Sequence, residues 1–158
     1  MRVLLIGSRG FIGSKIYSAL SLLDVACKGL SREDLDFSDV PSLLKIINSF
    51  EPTFIIYAAG INKRFSSSDF YLLAEHKILA ALSSCSAKII YLSSTLVYGN
   101  PISLPLTENN LVYPSGEYGF YKALCEDIVM SANNWLVLRL TSIVSKAKES
   151  SAFFKLYH

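Results

Sequence analysis

Arg2-Val3-Leu4-Leu5-Ile6-Gly7-Ser8-Arg9-Gly10-Phe11-Ile12-Gly13 is the stretch on which the reading of this chain turns. Residues 2–6 form an apolar run, which fits a strand buried on both faces. The three glycines that follow fall just where such a strand would give way to a helix. Ile12, Ile16, Ala19, Leu20 and Leu23 then recur at helical spacing over 11–23. A glycine series between a strand and a helix carries a physical meaning that it lacks elsewhere. Gly7 permits a tight turn, Gly10 lets a pyrophosphate approach the backbone, and Gly13 lets the helix pack on the sheet. Phe11 and Ile12 open the helix, whose unpaired N–H groups attract phosphate. The spacing is GxxGxxG.

The same alternation continues outward. A second strand is expected at 24–29 and a helix at 40–50, capped by Ser38 or Asp39 with Pro41 in its first turn. Residues 53–59 (TFIIYAA) read as a third strand, 69–84 as a helix and 87–93 (AKIIYLS) as a fourth strand. Gly99, Asn100, Pro101, Pro105, Asn109, Asn110, Pro114 and Gly116 make 94–116 one long loop. Loops of that length in a compact domain usually serve function. A helix at 117–132 and a fifth strand at 135–141 (WLVLRLT) follow. Strand–helix alternation implies an α/β fold: a doubly wound, Rossmann-like parallel sheet, with the expected strand order 3-2-1-4-5. Ligands would bind at the carboxyl ends of the strands, at a switch point between strands 1 and 4. The expected division is a dinucleotide-binding domain over 1–145 and a C-terminal helix or tail over 146–158, bearing Phe153, Phe154, Leu156 and Tyr157.

Composition narrows the classes. The chain has 158 residues, 51% of them hydrophobic and 18% charged, so it can bury one core and is not disordered. Fifteen Lys+Arg against 13 Asp+Glu gives +2, which does not suggest nucleic-acid binding through bulk charge. No apolar run approaches a membrane span, and the apolar start is too short for a signal peptide. Cys27, Cys85 and Cys125 lack metal-site spacing and read as buried structural thiols. His76 and His158 do not form a ligand pair, no metal is expected, and the cytoplasm is the default compartment.

Two further motifs carry chemistry. Tyr118 and Lys122 lie four apart at the start of a helix and share a face. An ammonium there stabilises tyrosinate, so Tyr118 could exchange a proton with a carbonyl or hydroxyl group. Ser93-Ser94-Thr95 ends the fourth strand, where hydroxyls face the same crevice as the glycine turn.

Together the three motifs resemble the extended short-chain dehydrogenase/reductase family, the nucleotide-sugar epimerases, dehydratases and reductases. The resemblance covers residues 1 to about 145. It takes in Asp36-Phe37-Ser38-Asp39 as an adenine-side motif and Ala58-Ala59-Gly60 as a cofactor-facing turn. It also takes in the Pro105-Leu106-Thr107-Glu108 loop and the Leu138-Arg139-Leu140-Thr141 strand. By that resemblance Tyr118 is the general acid/base, Lys122 tunes it and holds the nicotinamide ribose, and Ser94 hydrogen-bonds the reacting oxygen. Thr95 and Ser93 are the alternatives if the register moves by one. Asp39 is either a helix cap or an adenine contact.

The cofactor reading is NADP(H), with NAD as the alternative. No carboxylate follows the second strand before Glu33, and Arg9 and Arg32 suit a 2′-phosphate. Thr95-Leu96 stand where dehydratases carry Asp-Glu, which favours a reductase or epimerase acting on a nucleotide-sugar. The family often has Asn in the helix before the fourth strand, where this chain reads Leu72-Leu73-Ala74-Glu75-His76. It also continues beyond the fifth strand, with Gly-Pro where Ser145-Lys146 stand, into a sugar-binding domain. The expectation is therefore an enzyme of this type lacking its substrate domain or, alternatively, a catalytically silent dinucleotide-binding or protein-interaction domain. Helices 69–84 and 117–132 would pair two copies into a homodimer, or simply pack on the sheet.

Overall fold

The computed structural model describes residues 1–36, 39–60, 69–100 and 104–143, with the backbone alone at 69–72. Five strands form one parallel sheet: β1 (Arg2–Ile6), β2 (Ala26–Leu30), β3 (Phe54–Tyr57), β4 (Lys88–Ser94) and β5 (Trp135–Leu140). The helices are α1 (Phe11–Ser21), α2 (Val40–Phe50), α3 (Asp69–Ser83) and α4 (Glu117–Met130). Each expected element is present. The tail at 144–158, Phe37, Ser38 and the loop residue Pro101 lie outside the described residues.

The strand order corrects the expectation. It is β2-β1-β3-β4-β5, not 3-2-1-4-5. Only α2 separates β2 from β3, and the crossover returns over β1 to pair β3 on its other side, Val3 opposite Phe54 and Ile6 opposite Tyr57. The chain therefore reverses direction between β1 and β3, and the switch-point crevice lies there. β2 becomes an edge strand, which suits its weak apolar content and its Lys28.

The loop expected over 94–116 is also not uniform. Residues Thr95–Tyr98 form a 3₁₀ turn, started by the Ser94 hydroxyl accepting from the Leu96 N–H at 3.2 Å. At α2 the carboxylate of Asp39 accepts from the Ser42 N–H at 3.0 Å, so Asp39 is the helix cap. Hydrogen bonding from the Ser42 side chain, with this backbone bond beside it, holds the Asp39 carboxyl below its ordinary range.

The main core lies on the face of the central strands that α2, α3 and α4 cover. Leu4, Ile6, Ile55 and Ile89 meet Leu43 and Ile47 of α2, Ile78, Leu79 and Leu82 of α3, and Cys125 and Val129 of α4. Cys125 is buried as expected; Cys27 and Cys85 are only partly so, because β2 is an edge and Cys85 follows the end of α3. On β5, Trp135, Leu136 and Leu138 are about two-fifths exposed.

Candidate functional site

The glycine turn occupies the switch point. The Gly7 and Ser8 N–H groups donate to the Leu30 carbonyl at 2.8 and 3.0 Å, which ties the turn to the end of β2. On the other side it abuts the end of β3, where the Ala58 N–H donates to the Ile6 carbonyl at 2.8 Å. Gly7 has φ +91°, and a Cβ there would lie 2.5 Å from the Ala59 nitrogen. A Cβ on Gly13 would lie 2.0 Å from the Gly7 carbonyl oxygen. Both positions therefore require glycine, one for conformation and contact and the other for contact alone. Gly10 is the N-cap of α1, is exposed, and carries no side-chain cap. Gly60 has open space around it.

Around this turn the chain sets several charged groups. The Arg9 guanidinium pairs with the Glu33 carboxylate, both exposed, just beyond β2. Arg32 is exposed beside them. Asp34 closes the same bend by accepting from the N–H and hydroxyl of Ser31, and those hydrogen bonds hold its carboxyl below the usual range. Asp36 is exposed, and its carbonyl accepts from the Asp39 N–H at 2.9 Å.

The second half of the site is built on β4, the 3₁₀ turn and the start of α4. Ser94 is the last residue of β4; the neighbouring Thr95 hydroxyl donates to the Leu140 carbonyl at 3.5 Å. Ser93 points into the core, with its hydroxyl buried and unpaired. Gly119 seats α4 on the 3₁₀ turn, since a Cβ there would lie 2.3 Å from the Leu96 carbonyl oxygen. Gly99 has φ +63° and brings the chain back so that the Tyr113 N–H donates to the Val97 carbonyl at 3.0 Å. The sequence shows Gly99 only as a loop breaker and gives Gly119 no packing role. Their signal was the pair Tyr-Gly at 98–99 and 118–119, each glycine following a large ring.

Tyr118 is 38% exposed and sits at the crevice surface. Burial of part of its ring, with the Glu75 and Cys125 charges, pushes its hydroxyl above the ordinary tyrosine range. This differs from the expected lowering by Lys122. The reason is where the ammonium points: Lys122 Nζ donates to the Tyr91 hydroxyl at 2.9 Å and the Leu92 carbonyl at 3.1 Å, and lies 4.6 Å from the Tyr91 ring centre. Lys122 is 3% exposed. Burial lowers its pKa, opposed by the nearby Glu75, Cys125 and Glu126.

Arg139 binds the three elements together. Its Nε and Nη2 donate to the Glu126 carboxylate at 2.8–3.2 Å, and Nη1 donates to the Tyr98 hydroxyl at 2.7 Å. The strand of the sequence motif thus anchors α4 and the 3₁₀ turn.

Comparison with known proteins agrees with this architecture. The family described as "RmlD substrate binding domain" matches residues 1–156. UDP-glucose 4-epimerase 2 of Arabidopsis thaliana is 27% identical over 123 residues, covering 70% of this chain and 35% of that protein. The crystal structure of dTDP-4-dehydrorhamnose reductase from Yersinia enterocolitica superposes with a TM-score of 0.81 at 26% identity, over 99% of this chain and 58% of that one. The Bacillus anthracis dTDP-4-dehydrorhamnose reductase, in complex with NADP, gives 0.79 at 19% identity over 92% of this chain and 55% of that one. The chain thus spans about a third of that curated relative and just over half of those structures.

Proposed function

The chain belongs to the RmlD substrate binding domain family, an extended short-chain dehydrogenase/reductase group, and from that premise we propose that it is the dinucleotide-binding part of a nucleotide-sugar reductase or epimerase. One observation carries the reading: a glycine turn wedged between the ends of β2 and β3, with Ser94, Tyr118 and Lys122 set on the neighbouring β4 and α4. The residues fit a dinucleotide. Gly10 would leave the backbone bare for a pyrophosphate on the turn that Gly7 and Gly13 make possible, and the uncapped start of α1 at Phe11 and Ile12 offers its positive end. Ala58, Ala59 and Gly60 line the other wall. Arg9 and Arg32 favour NADP(H) by taking a 2′-phosphate, with Asp36 on the adenine side; Asp39, engaged as a cap, contributes less.

A bound nicotinamide supplies hydride exchange at a sugar carbon. Tyr118 then moves the proton on the sugar oxygen, and Ser94 hydrogen-bonds that oxygen. Lys122, which donates to the Tyr91 hydroxyl and the Leu92 carbonyl, would hold the nicotinamide ribose. The division at residue 145 is part of the same proposal, as is a homodimer through α3 and α4. Ile78, Leu79, Leu82 and Val129 are spent on the chain's own core, so such an interface would rest on Leu73, Phe120 and Leu124, which are exposed. Sedimentation at several concentrations tests it; a monomer throughout refutes it. The rival reading, dinucleotide binding without turnover, is favoured by the raised Tyr118 hydroxyl.

Titration with NADPH and NADH, followed by nicotinamide fluorescence, is the test of the dinucleotide site. Gly10→Val is expected to remove binding from a folded chain. Unchanged affinity in that variant would refute the site.

A further inference from the structure

Beneath the proposed site lies a buried charge that the proposed reaction does not use. Glu75 of α3 is 4% exposed, and among the described residues its Oε1 has no well-formed hydrogen bond. Its neighbours are also polar and poorly satisfied. The Tyr121 hydroxyl beside it is buried and interacts with the Glu75 carboxylate without a well-formed hydrogen bond among the described residues, and the Tyr121 ring stacks on His76 with centres 5.6 Å apart. Lys122, next along α4, is as deeply buried as Glu75 and has only the neutral Tyr91 hydroxyl and Leu92 carbonyl as acceptors. Neither group forms a direct ion pair among the described residues. A buried carboxylate or ammonium without a counter-charge is strongly destabilised, so two such groups of opposite sign on facing helices demand a joint account.

We propose that Glu75 is a positioning residue of the Tyr118–Lys122 site: its buried carboxylate is the counter-charge that keeps the Lys122 ammonium in the core, and its field acts on the Tyr118 hydroxyl. The titratable and charged groups around it come from every packed element. From α4 these are Lys122, Tyr118, Tyr121 and Cys125; from β3, Tyr57; from β4, Tyr91; and from the bend after β2, Arg32. His76 adjoins it on its own helix. Two cations, Lys122 and Arg32, attract it; the tyrosines and Cys125 are neutral unless they lose a proton, and burial pushes the His76 imidazole toward its neutral form. Burial pushes the Glu75 carboxyl up, and the Lys122 ammonium is the strongest influence pulling it back. The converse holds at Lys122, where Glu75 leads the groups that oppose desolvation. At Tyr118 the negative charge opposes loss of the hydroxyl proton.

The proposal rests on the site reading for its relevance to catalysis, but its test does not need turnover or a bound dinucleotide. The first arm is a stability cycle: wild type, Glu75→Gln, Lys122→Met and the double variant, compared by thermal unfolding at neutral pH. Each single change strands one buried charge, so the double variant is expected to lose clearly less than the sum of the two, and to melt above Lys122→Met. The second arm uses chain labelled with [¹³Cζ]tyrosine, the Tyr118 signal being assigned by its loss in Tyr118→Phe. Glu75→Gln is expected to move the Tyr118 titration down by roughly one pH unit. A structural role alone would not move it. Additive stability losses, or a Tyr118 titration that Glu75→Gln leaves in place, would overturn the proposal. If either single variant fails to fold, the labelled Glu75→Asp chain carries the second arm, and a Tyr118 titration matching that of wild type is then expected.

Discussion

Replacing Glu126 with Gln tests whether the Arg139 anchor holds the back of the site together. Glu126 is 1% exposed at its side chain and Arg139 17%. The guanidinium makes three contacts of 2.8–3.2 Å to the two carboxylate oxygens, and its remaining arm reaches the Tyr98 hydroxyl at 2.7 Å. An amide keeps the size but removes the charge and turns an NH₂ group toward a donor. The Glu126 hydrogen bonds are also the main cause of the raised Arg139 pKa; without them the guanidinium still stays charged, because its ordinary pKa lies far above neutrality. Breaking a buried pair at one partner costs about 3–5 kcal/mol, and the residual exposure of Arg139 places this case near 3. For a chain of this length that is a fall in Tm of roughly 6–12 °C, at about 2–4 °C per kcal/mol. The assay is thermal unfolding by circular dichroism at neutral pH, in low salt and in molar salt. Salt should change the deficit little, since a buried pair is weakly screened. Glu51→Gln, which breaks the exposed Arg2–Glu51 pair of 3.2 Å, is the control and should move Tm far less. A Glu126→Gln chain that melts within the shift of that control would refute the reasoning.

Gly13→Ala is expected to lower Tm by several degrees and to weaken dinucleotide binding, because its Cβ would stand 2.0 Å from a backbone oxygen that cannot give way without moving α1; calorimetry with and without NADPH checks both. Glu33→Gln frees Arg9 and is expected to raise NADPH affinity several-fold relative to NADH, and Arg9→Ala to lower it, as read by fluorescence titration. Asp39→Ala removes the α2 cap. Because the Asp39 carboxyl is lowered in the folded chain, its stabilisation is present above the unfolded carboxylate range and lost as pH falls through the folded value. The Tm deficit of Asp39→Ala should therefore be full at neutral pH and shrink below about pH 4.

What could be read in advance was whatever a local pattern records. The β1 run and the spacing of Gly7, Gly10 and Gly13 state their own geometry, since a strand buried on both faces and a turn without side chains leave few alternatives. Strand order is a different kind of fact. Whether the third strand lies outside the second or across the first depends on which side the crossover returns, and no single residue states it. A clue lay in comparing Ala26-Cys27-Lys28-Gly29 with Phe54-Ile55-Ile56-Tyr57: the weaker, charged strand belongs at an edge, and the 3-2-1 order would have placed it inside.

The charged residues of α3 and α4 were illegible for a related reason. Glu75, Lys122 and Glu126 look like the solvated face of their helices, as most such residues are. Their burial follows from what the topology sets opposite them: Arg139 on β5, Tyr91 on β4, and each other across the α3–α4 contact. The Y-x-x-x-K spacing states that Tyr118 and Lys122 share a face but not where a long side chain ends. In the fold one reaches the crevice and the other the core, so α4 supplies the surface hydroxyl and its electrostatic footing from a single turn. A motif read for catalysis is at the same position a motif for packing, and substitutions at Lys122 must therefore be judged on folding before they are judged on chemistry.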